Sequence, residues 1–465
     1  MGNKPKSIQH LPKTNKSRDD VTTQLMQVGN QDAVATAFAR EHKQSWIYAH
    51  GGGWHRWAGS YWSKDKTNQI CHDIRQLTRD YNPDGKAASA SAYFYDGVRK
   101  LLEADPVISE EFKRFDLNHN LLCCPDGIYD LTTGNRSNHD PSLLITQITS
   151  APIDNEHPRR FIRFMHEISD GDSSLVEFFQ MVLGSCLSGA PEVHQLYYFF
   201  GASARNGKNT LADLYAYLLG NYACSFPAEA LLQGRNHDSD VYTLKGKRIA
   251  ISSEVPDGAR WNEMRLKNLT SDAVLNSRPL YGMWQEFNRT HKHIILGNHR
   301  PSLNTMDNGV TSKFVLVPFN VSFRGREDFD LPSKLRAEAP NILGWLLEGH
   351  LKWRENGMRA PSCKVVEEAT LDYFDSQATV DMWVEERCKL VDNKHCVGRD
   401  KAQASDLYQD YRQWKESRGE SPLSLTRWGE HMSQRFKKIK TSGVRYVGVL
   451  LREDLTGRVK QVAGW

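Results

Sequence analysis

The sequence predicts an α/β fold with a parallel sheet, preceded by a helical or mixed N-terminal domain and followed by a winged-helix-like domain. The first observation is a strand, a glycine loop and a helix in succession, HQLYYFFGASARNGKNTLADLYAYLLG at 194–220. The second is a set of apolar runs separated by longer polar or helical stretches, namely KRIAISSE (247–254), HKHIILGNHRP (291–301) and KFVLVPF (313–319). Apolar strands alternating with helical stretches are typical of parallel α/β sheets. The third is a basic C-terminal segment with helical periodicity.

The composition is that of a globular protein without a general affinity for polyanions. The 465 residues carry a net charge of only +4, and 39% are hydrophobic, which allows several domains. Basic residues gather at both ends, with five Lys/Arg and no acid in the first 18 residues and nine Lys/Arg against three acids from 425 to 465. The eight cysteines are scattered, and we find neither a signal peptide nor a membrane-length apolar run. These features predict a cytoplasmic protein that does not bind membranes.

Four segments follow from the pattern along the chain. Residues 1–30 are polar and basic and are predicted to be a disordered tail, either solvated or in contact with nucleic acid. Residues 31–190 form a mixed domain, with helical periodicity at 68–104 and 158–190 and hairpin turns at 118–141. Residues 191–355 form the α/β core, and residues 365–465 form the winged-helix-like unit.

The glycine loop has the features of a phosphate-binding loop with altered spacing. Such a loop reads G-x-x-x-x-G-K-[ST]. Here Gly207 and Lys208 are present, the leading glycine comes one residue early at Gly201, and Asn209 replaces the usual hydroxyl. A buried strand precedes the loop and an amphipathic helix follows it, so backbone N–H groups, a helix N-terminus and a lysine would meet a phosphate. The alternative is an ordinary glycine-rich turn.

Polar side chains also end two later strands. Glu254 follows RIAIS, where an acid could organise magnesium and polarise an attacking water. Asn298 follows IILG, where an amide could position water or sense a γ-phosphate. Alternatively, Glu254 is the N-terminal acid of a helix and Asn298 is a turn residue before Pro301.

Together these motifs resemble the superfamily 3 helicases of the AAA+ class, in particular the primase–helicases of phages, plasmids and poxviruses. RNGKNTL is similar to their N-G-K-[SG]-T loop, and HKHIILGNHRP is similar to their motif C. LKGKRIAISSEVPDGARWNEMRLKNLTSDAVLNSRPLY resembles their Walker B stretch with the K-x-L-T…D…R-x-L-Y motif after it. FDLNHNLLCCPDGIYDLTTG looks like the domain that precedes such ATPases, and the whole resemblance covers residues 45–450.

The resemblance implies ATP and Mg²⁺ as cofactors and gives roles to the matching residues. Lys208 would contact phosphate, Glu254 would activate water, and Asn298 would be the sensor. Thr210 or Asn209 would approach magnesium, with Thr210 and Glu254 as its ligands. The ATP-binding residues would be Gly201, Ala204, Arg205, Asn206, Gly207, Lys208, Asn209 and Thr210.

Two departures from the family's pattern affect the catalytic residues. Ser253 stands where many relatives have a second acid, which leaves one carboxylate for the metal. The family's arginine finger falls at Lys313, and a lysine lacks the planar fork of a guanidinium. Either Lys313 acts as a weaker cation on a neighbouring subunit, or Arg324 or Arg326 takes that role.

The resemblance also places the DNA contacts. In related helicases the stretch between the Glu254 and Asn298 strands is a β-hairpin that projects into the channel of a ring. Trp284 could stack on a base there, and the available cations are Lys267, Arg278, Arg289 and Lys292. The alternative for Lys267 and Arg278 is a structural role in holding the hairpin.

The C-terminal segment contains a helix, a second helix capped by Ser424 or Thr426, and a basic strand pair. This order of elements suggests a winged helix. Its alternative is a protein-docking domain with a solvated basic face. The side chains expected to face phosphate are Arg427, Arg435, Lys437, Lys438, Lys440 and Arg445.

The resulting expectation is an ATP-driven, ring-forming DNA helicase that serves replication of a phage, plasmid or other mobile element. By resemblance it forms hexamers and moves 3′ to 5′ on single-stranded and forked DNA, with any primase or polymerase on a separate chain. One alternative is an origin-binding initiator that melts DNA without processive unwinding. Another is a nucleotide-dependent DNA-binding switch that does not hydrolyse ATP.

Overall fold

The computed structural model describes residues 30–81, 91–190, 192–234, 237–257, 259–280, 282–303, 308–391, 401–418, 422–440 and 443–452. Apart from Asn30, the predicted tail lies outside these residues. The chain divides into a smaller unit, Met1–Leu117 with His139–Gln147, and a larger unit, Asn118–Asn138 with Ile148–Trp465. The predicted domain 31–190 is thus shared between the two units.

The smaller unit packs three helices against a four-stranded sheet. The strand order is β3-β2-β1-β4, with β1 and β4 parallel and the other pairs antiparallel. Trp46, Trp54 and Trp62 are buried, so these aromatic side chains form core. The elements are α1 Gln31–His42, β1 Trp46–His50, β2 Gly53–Trp57, β3 Trp62–Lys64, α2 Gln69–Tyr81, α3 Ala92–Glu103 and β4 Ser109–Glu111.

The larger unit begins with the predicted hairpins and a helical pair. Cys124 pairs with Gly127 across a turn at Pro125 and Asp126, as the turn chemistry predicts. The helical stretch predicted at 158–190 is two helices, separated where Asp172 caps the second through the N–H groups of Ser174 and Leu175. These elements are β5 Leu121–Cys124, β6 Gly127–Asp130, β7 Arg136–Ser137, α4 Arg159–Ile168 and α5 Ser173–Ser185.

A five-stranded, wholly parallel sheet forms the centre of the larger unit. Its order is β14-β8-β13-β10-β9, and apolar side chains cover both faces, as expected for parallel strands. Alternate residues of β8 enter different cores, with Tyr197 on one face and Tyr198 on the other. The elements are β8 Leu196–Phe200, α6 Lys208–Leu219, β9 Ala223–Ser225, α7 Asp238–Tyr242, β10 Ile249–Ser252, α8 Glu263–Ser271, β11 Val274–Ser277, β12 Gln285–Asn288, β13 Lys292–Gly297, α9 Asn308–Thr311, β14 Phe314–Pro318, α10 Leu331–Ala337 and α11 Ala339–Glu355.

The remaining elements surround a third core that includes Trp383 and Trp428. The first helix begins at Lys364, where the C-terminal domain was predicted to start, but its N-terminal half packs on β14 of the parallel sheet. The helix pair and the basic hairpin have the predicted order, and β16 adds a third antiparallel strand beside β18. The elements are α12 Lys364–Arg387, β15 Cys388–Leu390, β16 Lys401–Gln403, α13 Ala404–Ser417, α14 Leu425–Arg435, β17 Lys437–Lys440, β18 Val444–Val447 and β19 Val449–Leu451. None of the helices in the described residues is long and apolar enough to span a bilayer.

Candidate nucleotide site

Three segments singled out in the sequence meet at the carboxyl edge of the parallel sheet. Tyr198, Ile295 and Ser252 lie at one level of β8, β13 and β10, so the residues that follow them leave the sheet at the same edge. In this sheet β13 lies between β8 and β10. On that side of β8, the strand next to the glycine loop is therefore the one that Asn298 follows, and Glu254 comes after the strand beyond it.

Lys208 is the first residue of α6 and points into this edge. Gly207 precedes it with φ +88°, a left-handed conformation that favours glycine. The Lys208 side chain is buried, and its Nζ donates to Oδ1 of Asn298 at 2.5 Å and to Oδ1 of Asn206 at 3.4 Å. Burial lowers the pKa of Lys208, because removal from water disfavours the charged amine.

The early leading glycine is explained by Asn206. The side chain of Asn206 is buried, and its Nδ2 donates to the carbonyls of Ser203 at 2.8 Å and Phe319 at 3.4 Å. A Cβ on Gly201 would lie 1.8 Å from that nitrogen. The loop therefore closes on itself through Asn206, and the first position must be glycine.

Two non-glycine residues at this edge have positive φ. Arg205, within the loop, has φ +61°, and Glu254 has φ +62°. Such conformations cost free energy and are concentrated at functional sites. Glu254, Ser253, Ala204 and Arg205 are all exposed at this edge, where a ligand could reach them.

A cavity of about 870 Å³ opens beside the loop. Gly207 and Thr210 form part of its wall, whereas Asn209 is exposed on the preceding position of α6. Phe164, Phe323, Phe329 and Leu331 supply apolar surface. Its charged lining consists of five cations and three carboxylates, namely Arg160, Arg163, Arg205, Arg326, Lys334, Glu167, Glu327 and Asp328. This excess of positive charge favours an anionic ligand with an apolar part.

Carboxylates already pair with several of these cations. Arg205 forms an ion pair with Glu327, and Asp328 lies 2.9 Å from Lys334 Nζ and 3.9 Å from Arg160. The pairing holds the segment after β14 against the loop, where the Phe323 N–H also donates to the Arg205 carbonyl at 2.8 Å. No sequence motif marked Arg160 or Arg163. The available signal was a pair of arginines three apart on α4, and nothing in the sequence brings α4 to the loop.

Lys313 lies at the opposite edge of the sheet. It immediately precedes β14, its carbonyl accepts from Leu196 at the start of β8, and its Nζ donates to Ser271 Oγ. A five-residue strand is roughly 17 Å long, so Lys313 is remote from the loop of its own chain. Arg326, in contrast, lines the cavity beside Gly207, and Arg324 is exposed in the same segment.

The stretch between β10 and β13 contains the expected hairpin, β11 paired with β12. Arg278 and Trp284 flank its tip, with the guanidinium 5.0 Å from the centre of the indole ring. Trp284, Leu280 and Met283 are 52%, 72% and 83% exposed, which is unusual for such large apolar side chains. Lys267 lies on α8, is half-buried and takes part in an interaction within the chain.

Arg289 and Lys292 are placed inside the protein rather than on the hairpin surface. Arg289 is 1% exposed and donates to the carbonyls of Asp272 and Val193, each at 3.1 Å. Lys292 is 2% exposed and donates to the Ser188 carbonyl at 2.7 Å. Burial lowers the pKa of Lys292 to about 8. These two side chains cannot reach DNA phosphate, so we remove them from the expected DNA surface.

The basic residues of the C-terminal segment have different surroundings. Lys437, Lys438 and Lys440 are exposed on β17. Arg445 is half-buried on β18, and Arg435 forms an ion pair with Asp381. Arg427, near the start of α14, lies 2.8 Å from Asp372. The three lysines therefore offer the most accessible positive charge of this group.

Among the described residues, no three His, Cys, Asp or Glu side chains are grouped so as to hold a metal ion. A magnesium ion at the loop would therefore need oxygens of a bound phosphate in addition to one carboxylate and a polar side chain of α6. This requirement fits Mg²⁺, which is usually bound by one or two carboxylates together with substrate phosphates.

Comparison with known proteins identifies two family regions. Residues 35–170 match the family described as D5 N terminal like, and residues 199–311 match a family of unknown function, DUF5906. The second region contains the glycine loop, the strand that precedes Glu254, and the whole of the strand and turn around Asn298.

Two curated viral proteins are similar to the chain. A protein named as a helicase, L207/L206 of Acanthamoeba polyphaga mimivirus, is 25% identical over 352 residues, or 70% of this chain. Primase D5 of fowlpox virus (strain NVSL) is 26% identical over 155 residues, or 32% of this chain. These matches relate the chain to viral primase–helicases. The aligned parts span only 36% and 19% of these relatives' own lengths.

Solved structures of the NrS-1 C-terminal region also superpose on the chain. One form covers 87% of this chain and 96% of its own, with 11% identity and a TM-score of 0.45. Another, of residues 305–718, covers 64% and 77%, with 15% identity and a TM-score of 0.37. TM-scores this low do not establish a shared fold.

Proposed function

We propose that this protein is an ATP-driven, ring-forming DNA helicase of the superfamily 3, AAA+ type that acts in replication of a virus or other mobile element. The observation that carries the proposal is the meeting of Lys208 with Asn298 at the N-terminus of α6. A lysine, a helix N-terminus and a polar side chain from the neighbouring strand are the groups that a phosphate-handling site needs.

ATP would lie across the loop with its base in the adjacent cavity. The backbone from Gly201 to Thr210 and the ammonium of Lys208 would hold the phosphates. The apolar walls of the cavity, with Phe323 and Phe329, would accept the base, and its excess of cations would compensate the triphosphate. Thr210 lies in the cavity wall, and Asn209 is the exposed neighbour that directly follows the lysine, so either side chain could approach the metal.

Glu254 is the proposed base and metal partner. Magnesium would neutralise charge on the phosphates, while Glu254 orients a water for attack and Asn298 senses loss of the γ-phosphate. The positive φ of Glu254 supports this role, since a strained exposed carboxylate at a sheet edge has no evident structural purpose.

A ring assembly would explain the position of Lys313. Because this lysine lies at the edge of the sheet remote from its own loop, it can assist hydrolysis only on another subunit. A hexamer is therefore proposed, with each site completed by Lys313 of the next protomer. Arg324 is the alternative trans cation, while Arg326 would serve within its own chain.

Two surfaces would contact DNA. The hairpin tip offers Trp284 for stacking and Arg278 for phosphate, which suits sequence-independent binding of a single strand. In the C-terminal segment, the helix pair followed by a basic three-stranded sheet supports a winged-helix domain, with Lys437, Lys438 and Lys440 toward phosphate. The similarity to a mimivirus protein named as a helicase and to a poxvirus primase supports DNA replication as the setting.

Strand displacement on a forked duplex tests the proposal. The natural chain should separate the strands with ATP, Glu254→Gln should bind nucleotide without separating them, and Trp284→Ala should bind single-stranded DNA about tenfold more weakly. Tyr93→Ala, at an exposed aromatic of the smaller unit, is the matched control and should behave as the natural chain. Local melting of one duplex sequence without displacement would favour the initiator, and nucleotide binding without turnover would favour the switch.

A further inference from the structure

The segment that follows β13, Asn298–Pro301, touches both the phosphate loop and the C-terminal helices. On the nucleotide side, Asn298 accepts from Lys208, and the hydroxyl of Tyr198 donates to the His299 carbonyl. The Arg300 guanidinium lies 4.8 Å from the ring centre of Phe200, the last residue before the phosphate loop. A movement of the loop would therefore displace this segment directly.

On the other side, the same segment is held by α12 and α14. Arg300 lies 2.9 Å from one oxygen of Asp372 on α12, and the other oxygen of Asp372 lies 2.8 Å from Arg427 on α14. Gln434, near the end of α14, donates to the Arg300 carbonyl. Asp372 is thus shared between a residue of the nucleotide side and a residue of the proposed DNA-binding domain.

Helix α12 connects these contacts to the C-terminal core. Tyr373 on α12 is fully buried, and its hydroxyl donates to the Pro301 carbonyl at 2.5 Å. Ten residues later in the same helix, Trp383 lies in the core with Trp428 of α14. Since one continuous helix carries Asp372, Tyr373 and Trp383, a shift at Pro301 would be transmitted to α14 as a movement of a packed element rather than of a loop.

We propose that Arg300 is a positioning residue that makes nucleotide binding and DNA binding by the C-terminal domain interdependent, with Asp372 as the shared partner. The inference rests on the proposed function, since it takes ATP as the ligand of the loop and DNA as the ligand of the C-terminal domain. A bound phosphate competes with Asn298 for the Lys208 ammonium. Release of Asn298 shifts the segment, changes the Arg300–Asp372 pair, and so alters the hold of Asp372 on Arg427.

Linkage makes this proposal measurable in both directions. If nucleotide changes the affinity for DNA by some factor, DNA must change the affinity for nucleotide by the same factor. For the natural full-length chain we expect a factor of about five or more, within the usual range of allosteric coupling. The probes are a fluorescent, non-hydrolysable ATP analogue and a labelled duplex oligonucleotide, each titrated alone and at saturation of the other.

The deciding variant is Asp372→Asn, which removes the shared charge and keeps the side-chain shape. It should bind the fluorescent ATP analogue alone within about twofold of the natural chain, and its affinity for DNA alone should approach that of the nucleotide-saturated natural chain. The coupling factor should fall toward one. Asp375→Asn, at an exposed carboxylate one turn along the same helix, should keep the natural factor. Arg300→Lys should retain part of the coupling, and Arg300→Gln should lose it.

An unchanged factor in Asp372→Asn and Arg300→Gln would overturn the proposal. A factor of one in the natural chain, with ATP turnover intact, would overturn it and leave the proposed function standing. Absence of any nucleotide binding by the natural chain would remove both. Thermal unfolding of each variant shows whether the variant is folded. If Arg300 had only a structural role, its substitution would weaken nucleotide binding and DNA binding together.

Discussion

Lys208 Nζ lies 2.5 Å from Oδ1 of Asn298, although the two residues are separated by 90 positions in the chain. The pair joins the N-terminus of α6 to the end of the neighbouring strand β13. An amide oxygen occupies a place on the ammonium where a phosphate oxygen could bind, and it does so without bringing a negative charge. The contact thus keeps a buried lysine satisfied while leaving it able to exchange partners.

Asn298→Asp should strengthen the interaction of residue 298 with the Lys208 ammonium. A carboxylate forms a charge-assisted hydrogen bond with the ammonium and repels an incoming phosphate, so nucleotide affinity should fall tenfold or more while the melting temperature stays equal or rises. Fluorescent nucleotide titration and thermal unfolding measure the two effects. Asn268→Asp, at an exposed position of α8, is the matched control. Undiminished nucleotide affinity in Asn298→Asp would separate the pair from phosphate binding.

Gly207→Ala should lower the free energy of unfolding more than Gly357→Ala does. The φ of Gly207 is +88°, and a Cβ there would lie 2.5 Å from Ile168 Cγ2. A left-handed alanine costs about 1–2 kcal/mol by itself, and the clash adds to that. Gly357→Ala, with φ +66° and open space around the Cβ position, carries only the backbone cost. Chemical denaturation should show the larger loss for Gly207→Ala, together with loss of nucleotide binding. Equal losses with binding retained in both variants would contradict the proposed close packing of this loop.

Lys313 should act between subunits. Lys208→Ala and Lys313→Ala should each hydrolyse ATP poorly, and mixing the two proteins should restore turnover, because some interfaces then combine an intact Lys208 with an intact Lys313 of the neighbour. Mixing Lys208→Ala with Glu254→Gln is the control and should restore none, since both residues serve the same side of the site. Full turnover by Lys313→Ala alone would move the role to another cation, with Arg324 the first to examine.

Acid should destabilise the larger unit through its buried histidines. Burial lowers the pKa of His293 to about 3 and the pKa values of His350 and His431 to about 4. In the unfolded chain these groups protonate near pH 6.5, at about the ordinary value for histidine, so the unfolded state binds protons first as pH falls. The contribution of these histidines to the free energy of unfolding is therefore largest above about pH 6.5. It declines toward pH 4 by about 1.4 kcal/mol per pH unit for each histidine.

His293→Leu should remove one of the groups that binds a proton in the unfolded chain but not in the folded one. The slope of unfolding free energy between pH 6 and pH 5 should then be shallower by about 1.4 kcal/mol per pH unit, as measured by urea denaturation at several pH values. His166→Leu, at an exposed position of α4, should leave the slope unchanged. An identical slope in His293→Leu would show that this histidine is not kept neutral in the folded chain.

Periodicity and turn chemistry predicted most of the larger unit, because its central strands are continuous apolar runs and the helices α5, α8 and α14 begin at side-chain caps. Ser424 caps α14 as expected, accepting from the Arg427 N–H. The sequence could not predict that β13 separates β8 from β10, since strand order depends on packing between distant segments. For the same reason, Arg160 and Arg163 were missed as cavity residues.

The opposite error concerned Arg289 and Lys292, which were expected to face DNA. Both side chains are buried and donate to backbone carbonyls of Val193 and Ser188, which lie between α5 and β8, far away in the sequence. A basic residue next to a predicted hairpin is indistinguishable, in the sequence alone, from one whose charge is satisfied inside the protein. Arg278 and Trp284, at the tip of the same hairpin, retain the exposure that DNA binding requires.

ATP hydrolysis by the natural chain and by Lys208→Ala, each with and without single-stranded DNA, tests the central claim most directly. Our account predicts turnover that DNA stimulates in the natural chain and that falls at least about a hundredfold in the variant, as expected for loss of a phosphate-stabilising cation. Lys364→Ala, which removes an exposed lysine, should match the natural chain. Turnover that persists in Lys208→Ala, or nucleotide binding with no turnover under any of these conditions, would contradict a working motor at this loop.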